Sequence, residues 1–68
     1  MMLVEKFIGV VYVQSEEDAG FENAVLAEGI FSDEFDTYEE AVAWINEEHE
    51  KHDNFLSAEI KHIWVRSE

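Results

Sequence analysis

LVEKFIGVVYVQ, residues 3–14, carries apolar side chains on both of its alternating faces. Leu3, Phe7, Val11 and Val13 fall on one side of an extended chain, and Val4, Ile8, Val10 and Tyr12 fall on the other. β-Branched and aromatic residues dominate the stretch, so it reads as a long strand. A strand apolar on both faces belongs in the middle of a sheet. The rest of the chain therefore has to be arranged around it.

Residues 15–20, SEEDAG, read as a turn in which Gly20 supplies a positive φ. A second, weaker strand is expected over 23–31 (NAVLAEGIF). Thr37 and Glu40 then form a T-x-x-E capping box, in which hydroxyl and carboxylate each satisfy an orphan N–H. Tyr38, Ala41, Val42, Ile45, His49 and His52 follow on one helical face with Trp44 at its edge, and Asp53-Asn54 closes the helix. The last strand is expected over 55–66 (FLSAEIKHIWVR). There Leu56, Ala58, Ile60, His62 and Trp64 alternate with Glu59, Lys61, Ile63 and Val65.

The fold class is thus α+β, with element order ββαβ. The first strand is central, the sheet order is 2-1-3 with antiparallel neighbours, and the helix lies on one face. The crossover is expected to be right-handed. The 15–22 loop and the helix C-terminus then share one end of the sheet, and the 32–36 loop and the helix N-terminus share the other. One helix covers one face only, so the second apolar face needs a cover. A homodimer packed sheet to sheet is the simplest, a protein partner is another, and a partly exposed face with scattered Val and Ile is the third.

Composition sets the remaining bounds. The 68 residues form a single domain, 1–68, with 47% apolar residues, an aromatic content foreign to acidic disordered tails, and no cysteine. No disulfide or thiolate chemistry is available, and a reducing, cytoplasmic location is expected. No apolar run approaches the roughly 20 residues of a membrane span, and the first residues lack the basic region of a secretory signal.

Charge is the strongest functional signal. Seventeen acidic against four basic residues give −13, which repels nucleic acid and anionic membranes and favours a basic protein surface as partner. Glu16, Glu17, Asp18 and Glu22 gather at one end of the expected fold and Asp33, Glu34 and Asp36 at the other. Glu39, Glu40, Glu47 and Glu50 occupy the polar side of the helix between them. A helix of about 15 residues is about 22 Å long, enough to imitate a stretch of nucleic-acid backbone with its phosphate every ~3.4 Å of axis. The same acid density also serves solubility or a salt-rich cell interior.

Other constellations carry less. His49 and His52 are three apart on the helix, with His62 on the facing strand, a spacing compatible with a metal, yet no H-E-x-x-H motif is present. Histidines at a helix C-terminus are also explained by the helix dipole. Asp33-Glu34-Phe35-Asp36 lacks the glycine and alternating oxygens of a calcium loop. Trp44 and Trp64 read as core or core-edge. No nucleophile elbow, phosphate loop or Cys/His pair occurs, so neither an enzyme nor a cofactor is expected.

In size, acidity and lack of a catalytic constellation the chain resembles the small inhibitors that phages and mobile elements direct against nucleases, polymerases and defence complexes. The likeness is one of overall character and transfers no site residues. It implies a non-enzymatic inhibitor of DNA-mimic, anti-restriction or anti-CRISPR type. The expected partner-binding residues are Asp33, Glu34, Asp36, Glu39, Glu40, Glu47 and Glu50, and the partner is a basic nucleic-acid-binding protein. The alternative is a dimeric structural or regulatory module that docks through its apolar sheet face.

Overall fold

A computed structural model describes residues 2–15 and 27–67. The expected turn at 15–20, the acidic cluster of Glu16, Glu17, Asp18 and Glu22, and the start of the second strand lie wholly or largely outside these residues. The elements are β1 (Met2–Gln14), β2 (Ala27–Phe31), α1 (Tyr38–Glu48), a 3-10 turn (His49–Lys51) and β3 (Phe55–Ser67). The sheet order is β2-β1-β3 with both pairings antiparallel, as the two-sided apolar pattern of β1 requires.

The helix lies over the odd-numbered face of β1. Phe7 meets Tyr38 edge to face, with ring centroids 6.1 Å apart. Gly9 sits beneath Trp44 and Ile45, and Val11 and Val13 are buried. Ala41 is the fully buried helical residue, which lets α1 approach the sheet closely. Directly opposite Phe7, Gly9 and Val11 on β3 stand His62, Ile60 and Ala58, so these share the helix side. His62 stacks on Phe7 at 4.7 Å and 9°.

The even-numbered face carries Val4, Ile8, Val10 and Tyr12, with Val65 opposite Val4, Ile63 opposite Lys6 and Glu59 opposite Val10 on β3, and Phe31 opposite Val10 on β2. Val10 is fully buried, Val4, Ile8, Ile63 and Val65 are half-buried, and Phe31 is 59% exposed. Among the described helices and strands, α1 is the one layered on the sheet, and it lies on the opposite face.

Three local expectations need correction. The α-helix ends at Glu48 and not near residue 52, with His49–Lys51 tightening into a 3-10 turn. His49 marks the change, since its backbone N–H and its ring Nδ1 both turn to the carbonyl of Ile45. The alternation of β3 also breaks. Tyr12 pairs with Ser57 but Val13 pairs with Phe55, so Leu56 is an extra residue and Phe55 comes within 5.5 Å of the His49 ring. Trp64 is 56% exposed and not core. It pairs opposite Glu5, beyond the stretch of β1 that α1 covers.

The approach of Trp44 to Gly9 gives a direct test. A Cβ at Gly9 would stand 2.7 Å from Trp44 Cε3 and 3.2 Å from Ile45 Cγ1. Gly9→Ala is therefore expected to cost about 1–3 kcal/mol in urea unfolding. The same change should cost less in a Trp44→Leu background, because the opposing ring edge is gone. Equal costs in both backgrounds would contradict this packing.

Candidate interaction surface

The second edge of β1 places the acidic loop. Past Phe31 the chain stays beside β1 without remaining a regular strand. Ser32 N–H donates to the Gly9 carbonyl at 2.9 Å, and Gly9 N–H donates to Ser32 Oγ at 2.8 Å. Phe35 rejoins the ladder opposite Phe7, N–H to carbonyl in both directions at 2.8 and 2.9 Å. Asp33 and Glu34 are the residues left over between these two anchors, and both are exposed. The apolar Phe35 is half-buried while the acids are turned out.

Asp36 follows at once and forms an ion pair with Lys6. Asp36 is the main cause that holds the Lys6 ammonium above the usual lysine value, with Glu34 and Glu40 adding to it. Lys6 therefore gathers three of the expected partner-binding acids, Glu34, Asp36 and Glu40, around one cation. The spacing and periodicity of the sequence assign Lys6 no role, although it is one of only four basic residues among seventeen acids.

Thr37 caps α1 in a form slightly different from the one expected. Its Oγ1 accepts the Glu40 N–H at 3.2 Å and donates to Glu40 Oε1 at 3.0 Å, so the carboxylate meets the hydroxyl and not an orphan N–H. Glu39 and Glu40 occupy the first turn, where the helix dipole favours negative charge. Glu39, Glu40, Glu47 and Glu50 are all exposed. At 100° per residue they fall within one quadrant or so of the helix, opposite Ala41 and Ile45. Glu50 stands on the 3-10 turn, about 16 Å along the axis from Glu39. Among the described residues, Asp33, Glu34, Glu39, Glu47 and Glu50 make no ion pair.

Glu48 is the acid on the inner side of the helix. It accepts from His52 Nε2 at 3.0 Å and lies 3.4 Å from Lys51 Nζ. The His52 hydrogen bond, opposed by desolvation and helped by Lys51, holds its carboxyl below the usual glutamate value. His49 faces Ile45 and Phe55, while His62 stacks on Phe7 and meets Trp64 at a tilt near the other end of α1. The three histidines are thus not brought together. No group of three His, Cys, Asp or Glu side chains among the described residues is arranged to hold a metal ion. No helix among them is long and apolar enough to cross a membrane.

On the opposite sheet face, Tyr12 O–H donates to Glu59 Oε2 at 2.9 Å, and this bond raises the phenol above its usual value. On the helix side, Tyr38, Val42, Ile45, Ala58 and Ile60 line a groove of about 340 Å³ between α1 and β3. No family model matches the chain, and no curated protein or solved structure matches it either.

The Glu48 pair makes a prediction with a definite sign. A carboxyl lowered on folding contributes stability above its ordinary value, and that contribution is lost as pH falls through the lowered one. In His52→Ala, NMR titration should show the Glu48 carboxyl moving back up, and this part of the acid dependence should shrink. A Glu48 titration unmoved by the substitution would remove His52 as its cause.

Proposed function

We propose that the protein is a non-enzymatic inhibitor that occupies a basic, nucleic-acid-binding surface of a partner protein. The observation that carries this reading is the outward track of Asp33, Glu34, Glu39, Glu47 and Glu50. All five are exposed and form no ion pair among the described residues, with Glu34 alone lying in the field of Lys6, while the acid on the inner side, Glu48, bonds His52 and lies beside Lys51. Asp36 and Glu40 complete the track but also serve the fold, through Lys6 and Thr37.

A solubilising role would need only negative charge spread evenly. Here the exposed acids of the helix and of the 33–36 segment lie together, and such clustering steers a basic partner to one side of the molecule. Docking through the other sheet face is the second reading, favoured by the exposed ring of Phe31 beside Val10 and by half-buried Ile63 and Val65.

The test is capture of basic proteins from a lysate on the immobilised chain, followed by competition with DNA. Captured proteins should be released by DNA and by salt. Glu39→Lys, Glu47→Lys and Glu50→Lys together should abolish capture and leave the circular dichroism spectrum unchanged. Glu40 is spared because it accepts from the helix cap. Each exposed charge contributes only about 0.2–1 kcal/mol, so the loss should build up across the three. Retained capture by this triple variant, with loss on Ile63→Glu and Val65→Glu, would transfer the function to the sheet face.

The charge track also predicts the response of stability to salt. Raising NaCl from low concentration to about 0.5 M brings the Debye length well below 10 Å and should raise Tm by relieving self-repulsion. A flat or falling Tm would mean that the carboxylates are compensated in place.

A further inference from the structure

We infer that β3 is a self-complementary edge at which two copies of this chain pair antiparallel about a two-fold axis at Ile60, forming one six-stranded sheet. β3 is 13 residues long and among the described residues pairs with β1 alone, so none of them covers its far side. The free groups can be identified. Phe7 and Gly9 of β1 bond to Phe35 and Ser32, so the odd-numbered peptide groups of β1 face that side and the even-numbered ones face β3. Their partners are Ser57, Glu59, Lys61 and Ile63. The N–H and C=O groups of Ala58, Ile60 and His62 therefore point away from the sheet.

Natural edges of this length are usually blocked, because an open row of peptide groups templates another strand. Here the side chains fit a second copy of the same strand. With Ile60 opposite Ile60, Ala58 falls opposite His62, and Glu59 falls opposite Lys61 twice, once on each side of the axis. Glu59 and Lys61 share the face away from the helix and are each about half exposed. Within one copy they reach only 4.0 Å, the limit of an ion pair, while Glu59 is held in place by Tyr12 O–H. Across the axis they become directly opposed cross-strand partners of opposite charge. Leu56 and Trp64, 45% and 56% exposed, stand four residues to either side of Ile60, so each approaches the other across the axis.

Global charge selects the same edge. Two bodies at −13 repel wherever acid meets acid. β3 carries Glu59 against Lys61 and Arg66 and is the one described element with an excess of basic over acidic residues. Glu39, Glu40 and Glu47 lie on the outer side of α1, opposite the residues that pack on the sheet. The two-fold axis runs perpendicular to the sheet, because paired residues keep their face, so both helices lie on one side and present two acidic tracks together. This arrangement differs from the sheet-to-sheet dimer expected from the sequence, and it leaves the other face of the sheet free.

The experiment is sedimentation equilibrium paired with amide hydrogen exchange on the full chain. The wild type should approach twice the monomer mass as concentration rises. The amides of Ala58, Ile60 and His62 should gain protection in step with dimer formation. Lys61→Glu sets glutamate against glutamate at both sites and should weaken dimerisation by about tenfold or more. Adding Glu59→Lys to it restores opposite charges across the axis and should restore the dimer, which a merely structural effect of either change would not do. A strict monomer at every concentration would overturn the inference. So would a dimer whose outward β3 amides stay unprotected, or one indifferent to Lys61→Glu.

Discussion

The close seating of Trp44 and Ile45 over Gly9 is the contact on which the arrangement turns. Gly9 is the one residue of β1 without a side chain, and it lies between Phe7 and Val11 in the middle of the helix side. Removing a side chain there lets the largest aromatic of α1 approach the backbone, and Ala41 allows the helix to settle at the same spot. Two fully buried valines, Val10 and Val11, follow directly in sequence. Among the described residues the buried core is little more than these contacts and Val13, so β1 organises the elements described.

Seating α1 over β1 determines what is left uncovered. Its outer quadrant turns Glu39, Glu40, Glu47 and Glu50 to solvent, while Glu48 on the inner side needs His52 and Lys51 to remain there. The edge of β1 that β2 does not reach is occupied by Ser32 and Phe35, and Asp33 and Glu34 are extruded between them. On the other edge, no described residue covers β3 in this way. The same packing therefore produces an acidic side and an open, nearly neutral strand.

The sequence made the architecture legible where patterns were strong. The two-sided apolar run of β1 implied its central place, and Thr37 with Glu40 marked the helix start. The strand order followed from these and is the one observed. What escaped depended on single contacts. The helix tightens after Glu48 because His49 turns back to Ile45, and nothing in a periodic pattern announces that change. The bulge at Leu56 shifts Phe55 onto the helix side, and a register shift of one residue is invisible to alternation alone. Trp64 reads as core or core-edge, but it pairs opposite Glu5, beyond the stretch of β1 that α1 covers, and is 56% exposed. The seven acids proposed to bind a partner were recognisable as exposed residues. The entanglement of Asp36 with Lys6 and of Glu40 with Thr37 was not, since both depend on where the 32–37 segment meets β1.

Segregated charge is the central claim: negative potential concentrated over Asp33 to Glu50, and little of it along β3. Paramagnetic relaxation of backbone amides by cationic and by anionic nitroxide probes measures this potential residue by residue. The cationic probe should accumulate strongly over the outer side of α1 and the 33–36 segment, with a much smaller difference between the two probes from Ile60 to Arg66. Equal enrichment of the cationic probe along α1 and β3 would contradict the account.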